Sequence, residues 1–376
     1  MTDTVTLNTI REKNKTNIVK TIIQSGGIMR SELAKKNRVS VMTVKKIVDD
    51  LLEKGVLQQE IVESMIGRKP QMLRLADHLG LFVCISLTSP FTFRYVVYNV
   101  QGKILDERKQ NVDRVYSYER NLRLLMESVR ECISHYELEP LGIAVSVPGA
   151  YYEEDDMVNY DLISGFHKLP LKRLFQSFFD LDNIIIVHDV YVSAQAEYDS
   201  LRLKQGSLFY FYVGDGVGGA FIKNGIWHTG ETLVAGEIGQ FVMTTEGPFA
   251  TLEDCVSVPN MVAKASEIVP VVGFEDVMRL YNEGHVEIRN LVDEATLLIA
   301  QALYNLHWVL NPRYIVVNCH YKQYAALILE KSASFFERLK TLPIRTNVDL
   351  CRSQLDQYGE MEGSLMILIE RWIDSL

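Results

Sequence analysis

The chain has 376 residues, 47% of them hydrophobic, enough to bury the cores of two or three domains. No stretch reaches the apolar length of a membrane span, and the first residues, MTDTVTLNTIREKNK, lack the apolar segment of a signal peptide, so a cytoplasmic protein without a membrane partner is expected. The formal net charge of −9 is uneven. Residues 1–75 carry 14 basic and 8 acidic side chains, a net +6, and the rest carries 25 basic and 40 acidic ones, a net −15. A basic head on an acidic body suits contact with a polyanion, although a solvated surface gives the same count. Cys84, Cys132, Cys255, Cys319 and Cys351 are scattered without Cys-x-x-Cys spacing, which predicts reduced thiols and no cysteine-rich metal site.

In the head, Ile18, Val19, Ile22 and Ile23 line one face of a helix over Asn17–Ser25, which Gly26-Gly27 ends. Arg30–Lys36 reads as a second short helix. Ser40 is placed to cap a third that runs to about Lys54 and stops at Gly55. Val44, Ile47, Val48, Leu51 and Leu52 make its buried stripe, which leaves Met42, Thr43, Lys45 and Lys46 on the free face. Two strands, Val56–Val62 and Gln71–Leu75, flank the basic tip Gly67-Arg68-Lys69-Pro70. Three helices and such a wing read as a winged helix-turn-helix over residues 1–78. Ser40, Met42, Thr43, Lys45 and Lys46 are then candidates for the major groove of a double-stranded DNA operator, and Arg68 and Lys69 for its backbone or minor groove. A small helical interaction domain with solvated basic residues is the other reading.

The body alternates strand and helix, which predicts an α/β fold, with lobes over 79–190 and 191–376 and a C-terminal helix able to pack back on the first. Strands are expected at Leu81–Leu87, Arg94–Val100, Leu141–Val147 and Ile184–Val187, with helices at Ser117–Tyr136 and Leu171–Phe179. A further helix is expected from near Val192, a long one over Glu287–Leu310, a strand at Arg313–Asn318, and then helix to the end. His188-Asp189 falls just past a central strand, where open α/β sheets bind ligands. Asp189 is a candidate general base or hydroxyl acceptor, or simply a helix cap. Leu208–Gln240 holds a strand, the glycines Gly214, Gly216, Gly218 and Gly219, a second strand and an Asn224-Gly225 turn. A hairpin tip without side chains lets backbone N–H groups approach a ligand, or is a turn with nothing bound. Gly236-Glu237-Ile238-Gly239-Gln240 sets a carboxylate and an amide among glycines, a pairing suited to hydroxyl recognition.

Taken together, Ser31-Glu32-Leu33-Ala34, Thr43-Val44, Gly67-Arg68-Lys69-Pro70, Val147-Pro148-Gly149, Asp189, Gly214–Gly219, Ala235-Gly236-Glu237-Ile238-Gly239 and Leu252-Glu253 resemble the ROK family of repressors, open reading frames and sugar kinases. The head is similar to those of ROK repressors such as the xylose and N-acetylglucosamine repressors. The resemblance covers nearly the whole chain and implies an actin-like ATPase fold of two lobes. It also implies sugar contacts at Gly149, His188, Asp189, Gly216, Glu237, Gln240 and Glu253. His188 stands where the family has asparagine, and Gln240 where a histidine binds sugar and a structural zinc.

Other departures bear on chemistry. The phosphate-cradling Asp-x-Gly-Gly-Thr turn is replaced by Ile85-Ser86-Leu87-Thr88-Ser89-Pro90, and a threonine of the second glycine loop by Asp215. A carboxylate there repels a polyphosphate, so loss of ATP binding and kinase activity is expected. The zinc cysteines are absent: Gln240 leads into Glu246-Gly247-Pro248-Phe249-Ala250-Thr251, and no metal or other cofactor is expected. The expectation is a sugar-responsive repressor of carbohydrate genes, xylose metabolism among them, acting as a homodimer or higher even oligomer. A ROK-type sugar kinase, or a regulator whose sugar site has decayed, stand as alternatives.

Overall fold

The computed structural model describes residues 7–61, 71–159, 166–203, 205–244, 249–337, 347–355 and 358–376. The tip residues Arg68 and Lys69, and Glu246-Gly247-Pro248, lie outside them. The chain divides into two compact units, one of residues 1–147, 151–187 and 364–376, the other of 148–150 and 188–363.

The first unit begins with helices α1 (Leu7–Gln24), α2 (Arg30–Asn37) and α3 (Val41–Glu53) and the antiparallel pair β1 (Leu57–Ile61) and β2 (Gln71–Leu75). Ile18, Val19, Ile22, Leu33, Val44, Ile47, Val48, Leu51, Leu57 and Leu73 are buried, and Ile28 pairs with Leu73. Ser40 caps α3, its hydroxyl accepting from the Thr43 N–H at 3.0 Å. The first helix starts ten residues before the expected Asn17. No apolar stripe marks its opening turns. They form on helix-favouring residues such as Arg11, Glu12, Lys13 and Lys15, with Lys15 paired to Glu12 at 2.5 Å.

Then follow β3 (Leu81–Ser86), β4 (Thr92–Asn99), β5 (Ile104–Asn111), α4 (Tyr118–Ser134), β6 (Pro140–Val147), β7 (Tyr151–Tyr152), β8 (Met157–Val158), α5 (Leu171–Phe179) and β9 (Ile184–His188). The five-stranded sheet has the order β5-β4-β3-β6-β9. Strand β5, ILDERKQN, escapes a reading by hydrophobic pattern because it is an edge strand. Its charges keep that edge from pairing further, and Glu107 meets Arg94 at 2.8 Å. The core joins β3, β4 and β6 to α4 and α5 through residues such as Phe93, Leu125, Val145 and Phe175.

The second unit holds α6 (Asp189–Ser200), β10 (Ser207–Val213), β11 (Val217–Lys223), β12 (Ile226–Trp227), β13 (Val242–Thr244), β14 (Ala250–Thr251), α7 (Leu252–Val256), α8 (Val258–Ile268), α9 (Phe274–Glu283), α10 (Val286–Leu310), β15 (Tyr314–Asn318), α11 (Lys322–Glu337) and β16 (Asp349–Arg352). The last helix, α12 (Gly359–Asp374), begins there and ends in the first unit. Its sheet order, β12-β11-β10-β15-β16, repeats the third-second-first-fourth-fifth arrangement of the first sheet. Period-two alternation sorts β10: Phe209, Phe211 and Val213 join a core with α10 and α11, while Leu208 and Tyr210 face Tyr191, Ala194 and Tyr198 of α6.

Further expectations are corrected, among them helix from Asn318 to the end, which strand β16 interrupts. Helix α6 starts at Asp189 rather than near Val192, so Asp189 is its first residue and not a cap. Gly218 and Gly219 belong to β11, and the turn is Gly214-Asp215-Gly216, closed by Gly214 N–H donating to Gly216 O at 2.9 Å. Gly219 is a glycine because a side chain there would meet the Phe209 ring.

Candidate functional site

Strand β9 carries three isoleucines into the sheet and ends at His188; α6 then starts at once. Asp189 Oδ1 accepts the Val190 N–H at 2.8 Å, in the first helical turn, where the macrodipole favours a carboxylate. The His188 ring packs edge-on against Tyr191, with centroids 5.0 Å apart, and Tyr191 stacks on Trp227 at 5.6 Å. Trp227 Nε1 donates to Gln195 Oε1 at 2.9 Å, and the Tyr191 hydroxyl donates to the Ala235 carbonyl at 2.6 Å. These contacts join α6 to the loop that carries Glu237.

Two glycines set that loop. Gly236, at φ 102°, lies on the Gly219 carbonyl, and Gly239 lies on the Val217 carbonyl; a Cβ at either would overlap the oxygen. Ile238 between them is 2% exposed and anchors the short 3₁₀ turn Ile238–Gln240. Glu237 is thereby turned toward α6: its Oε1 stands 3.8 Å from His188 Nε2, which stands 3.4 Å from Asp189 Oδ1.

His188, Asp189 and Glu237 thus meet in one cluster, with side chains 10%, 22% and 35% exposed. Burial lowers the His188 imidazole to about 4, so near neutral pH it is uncharged and its contacts are polar rather than ionic. Its Nδ1 is buried without a hydrogen-bond partner. Burial, then the charges of Glu360 and Glu237, raise the Asp189 carboxyl well above its usual range. Burial and Glu253 raise Glu237.

Glu253 is partly committed to the fold. Its Oε2 accepts the Val217 N–H at 2.8 Å and stands 3.1 Å from the place a Cβ would take on Gly216. Gly149 adopts φ 83°. Gln240 is exposed, and its N–H donates to the Glu237 carbonyl at 3.1 Å. Sequence reasoning missed Tyr191, Gln195, Trp227 and Glu360. Placing the start of α6 at Asp189 would have put Tyr191 three residues from His188, on its helical face.

In the segment Ile85–Pro90, Ser86 and Thr88 hydroxyls meet at 2.9 Å, and Ser89 Oγ accepts the Phe91 N–H at 3.2 Å. Asp215 is exposed at the β10–β11 turn. Among the described residues there is no group of three His, Cys, Asp or Glu that could hold a metal ion, and no helix long and apolar enough to cross a membrane. In the head, Ser40, Met42, Lys45 and Lys46 are exposed, and Thr43 Oγ1 lies 2.8 Å from Ser40 Oγ.

A model of the ROK family matches residues 92–371. The chain belongs to the ROK family. Family relatives include a xylose repressor of Caldicellulosiruptor bescii, 22% identical over 96% of both chains, and a xylose repressor of Staphylococcus xylosus, 24% identical over 83% of both. An N-acetylmannosamine kinase of Salmonella newport is 21% identical over 63% of this chain and 86% of its own. In fold the chain is similar to a ROK transcriptional regulator described as a homolog of the E. coli MLC protein, with a TM-score of 0.77 at 18% identity over 97% of both chains. It is also similar to a ROK glucokinase from Streptomyces griseus solved with glucose and AMPPNP. That likeness has a TM-score of 0.63 at 15% identity, over 76% of this chain and 98% of the other. The glucokinase likeness stops short of the full chain, whereas the Caldicellulosiruptor bescii repressor and the MLC homolog match it along almost its whole length.

Proposed function

We propose that this chain is a sugar-responsive, DNA-binding transcriptional regulator, a repressor without kinase activity. The observation that carries the reading is the cluster of His188, Asp189 and Glu237. It sets a neutral imidazole between two carboxyls raised above their usual range, and among the described residues no Lys or Arg forms an ion pair with it. Such a cluster offers donors and acceptors to a neutral, polyhydroxylated ligand without the cations a phosphate needs. Gly216 and Glu253 flank it, and Gly149 and Gln240 complete the proposed contact set. The free face of α3, with Met42, Lys45 and Lys46 exposed and Ser40 and Thr43 at its start, is proposed to enter the major groove, with Arg68 and Lys69 on the wing of a winged helix-turn-helix. Two-fold operators then call for a homodimer or higher even oligomer. The xylose repressors among the relatives support D-xylose as the first sugar to try.

A kinase is the second reading, favoured by the N-acetylmannosamine kinase relative. Ser86, Thr88 and Asp215, where the family cradles phosphates, speak against it. The two separate in a pair of assays on one sugar panel. A thermal shift with D-xylose, D-glucose, N-acetyl-D-glucosamine and N-acetyl-D-mannosamine is expected to find a stabilising sugar. A coupled ADP-release assay with magnesium ATP is expected to stay at background for that sugar. Turnover in the second assay overturns the regulator-only reading, and no shift with any sugar overturns the sensing one.

A further inference from the structure

One helix, α12, makes two separate sets of contacts. Its opening turn lies in the unit that holds the His188–Asp189–Glu237 cluster. The charge of Glu360, on that turn, raises the Asp189 carboxyl. Gly363 lies on the backbone of α6, where a Cβ would overlap the Val192 carbonyl oxygen, and a Cβ at Gly359 would stand 3.9 Å from Ser193. Asp189 is the first residue of that same helix α6.

The closing turns lie in the other unit, against the three-helix head. Glu370 pairs with Lys20 of α1. Asp374 Oδ1 accepts the Thr16 hydroxyl at 3.1 Å, and the Leu376 carbonyl accepts Lys54 Nζ, at the end of α3, at 2.9 Å. Trp372 packs edge-on against Phe82 of β3 at 5.7 Å, which fixes the helix to the sheet beside these polar contacts.

We propose that α12 is the coupling element through which occupancy of the Asp189–Glu237 cluster changes the DNA-binding head. This rests on the regulator reading. A ligand shifts an equilibrium only through contacts that differ between two states, so some element must feel both the ligand and the head. Helix α12 does. A sugar that bonds Asp189 and Glu237 alters the field and packing that Glu360 and Gly363 meet on α6. The helix is one hydrogen-bonded rod of 16 residues, so a displaced first turn displaces the last. The polar contacts at the far end are solvent-exposed ones, weak enough individually to exchange between two arrangements. Lys20 and Thr16 set α1, and Lys54 sets α3, which carries the proposed groove-reading face.

The test is hydrogen exchange on the full chain with neither sugar nor DNA present, so its outcome is separate from that of the functional reading. Glu360→Gln, and independently Gly363→Ala, are placed on the wild-type background and on a Glu370→Ala/Asp374→Ala background. Exchange is read over residues 11–24 and 41–53. The expected result is a change of roughly fivefold in head exchange rates on the first background, lost on the second. Glu360→Gln adds no bulk and keeps the test open if Gly363→Ala fails to fold. Head exchange equal to wild type in Glu360→Gln overturns the proposal, as does a change that persists in full when Glu370 and Asp374 are gone. A protein that shows this coupling yet responds to no sugar at an operator would refute the functional reading alone.

Discussion

Gly236 and Gly219 meet backbone to backbone: a Cβ on Gly236 would overlap the Gly219 carbonyl oxygen and stand 3.0 Å from its carbon, and Gly236 holds φ at 102°. The next residue is Glu237, so this approach sets where its carboxyl goes. The glycines of the 214–219 and 236–239 stretches are therefore one device, in which a strand without side chains receives a loop without side chains.

Gly236→Ala is accordingly expected to destabilise the fold by more than the roughly 1–3 kcal/mol of backbone strain alone, because the overlap adds to it. Gly26→Ala is the control: φ is 60° and nothing lies within 4 Å of the added atom, so only the left-handed backbone costs, about 1–2 kcal/mol. Urea unfolding of both variants checks the order; equal losses would contradict the packing role given to Gly236.

Tyr191→Phe keeps the stack on Trp227 and removes the hydroxyl that donates to Ala235. The expected loss is about 1 kcal/mol of stability, with a weaker thermal shift from any sugar that binds. A variant with unaltered melting and unaltered sugar shift would show that the loop is held some other way.

The two ionisable neighbours at the end of β9 predict opposite pH trends. His188 is lowered to about 4 from an ordinary 6.5, so its contribution to stability is complete above 6.5 and is lost as pH falls toward 4, up to about 3 kcal/mol. Asp189 is raised above its ordinary 3.8, so its contribution is complete at low pH and is lost as pH rises from that value through the raised one. Melting curves from pH 4 to 8 should therefore show a flatter acid limb in His188→Gln, and a higher Tm near neutral pH in Asp189→Asn. An acid limb of wild-type steepness in His188→Gln would place the imidazole in a more solvated setting than its 10% exposure indicates.

Ser40→Ala removes the cap of α3 and is expected to cost the head about 1 kcal/mol. Lys46→Ala leaves the cap and is expected to weaken DNA binding across sequences, with the salt slope reduced by about one. Anisotropy titrations at several salt concentrations separate the two effects; an unchanged slope in Lys46→Ala would remove that side chain from the interface.

Much of this was legible in the sequence where one physical signal dominated. The stripe Val44, Ile47, Val48, Leu51 gave α3 and its free face, and the isoleucine run 184–186 gave the buried strand that delivers Asp189. Where signals competed, the reading failed. Charged β5 hides an edge strand behind solvent-facing side chains, and the pair His188-Asp189 resembles a strand end although α6 starts there. Glu360 could not be found by any local pattern, since it reaches Asp189 from 171 positions away in the chain.

The central claim is that a sugar held by Asp189 and Glu237 governs DNA binding, and the most direct test is an operator titration with and without that sugar. The duplex is one that the wild-type protein itself selects from a random pool, and the sugar is the one that raises its Tm in the thermal screen, D-xylose being tried first. Each carboxyl makes charged or strongly polarised hydrogen bonds worth about 1.5–3 kcal/mol, so losing one weakens the sugar by roughly ten- to a hundredfold. The account predicts that the wild-type affinity changes on adding sugar, and that Asp189→Ala and Glu237→Ala each lose that change at the same sugar concentration, whatever affinity they start from. A full wild-type response in both variants would contradict it.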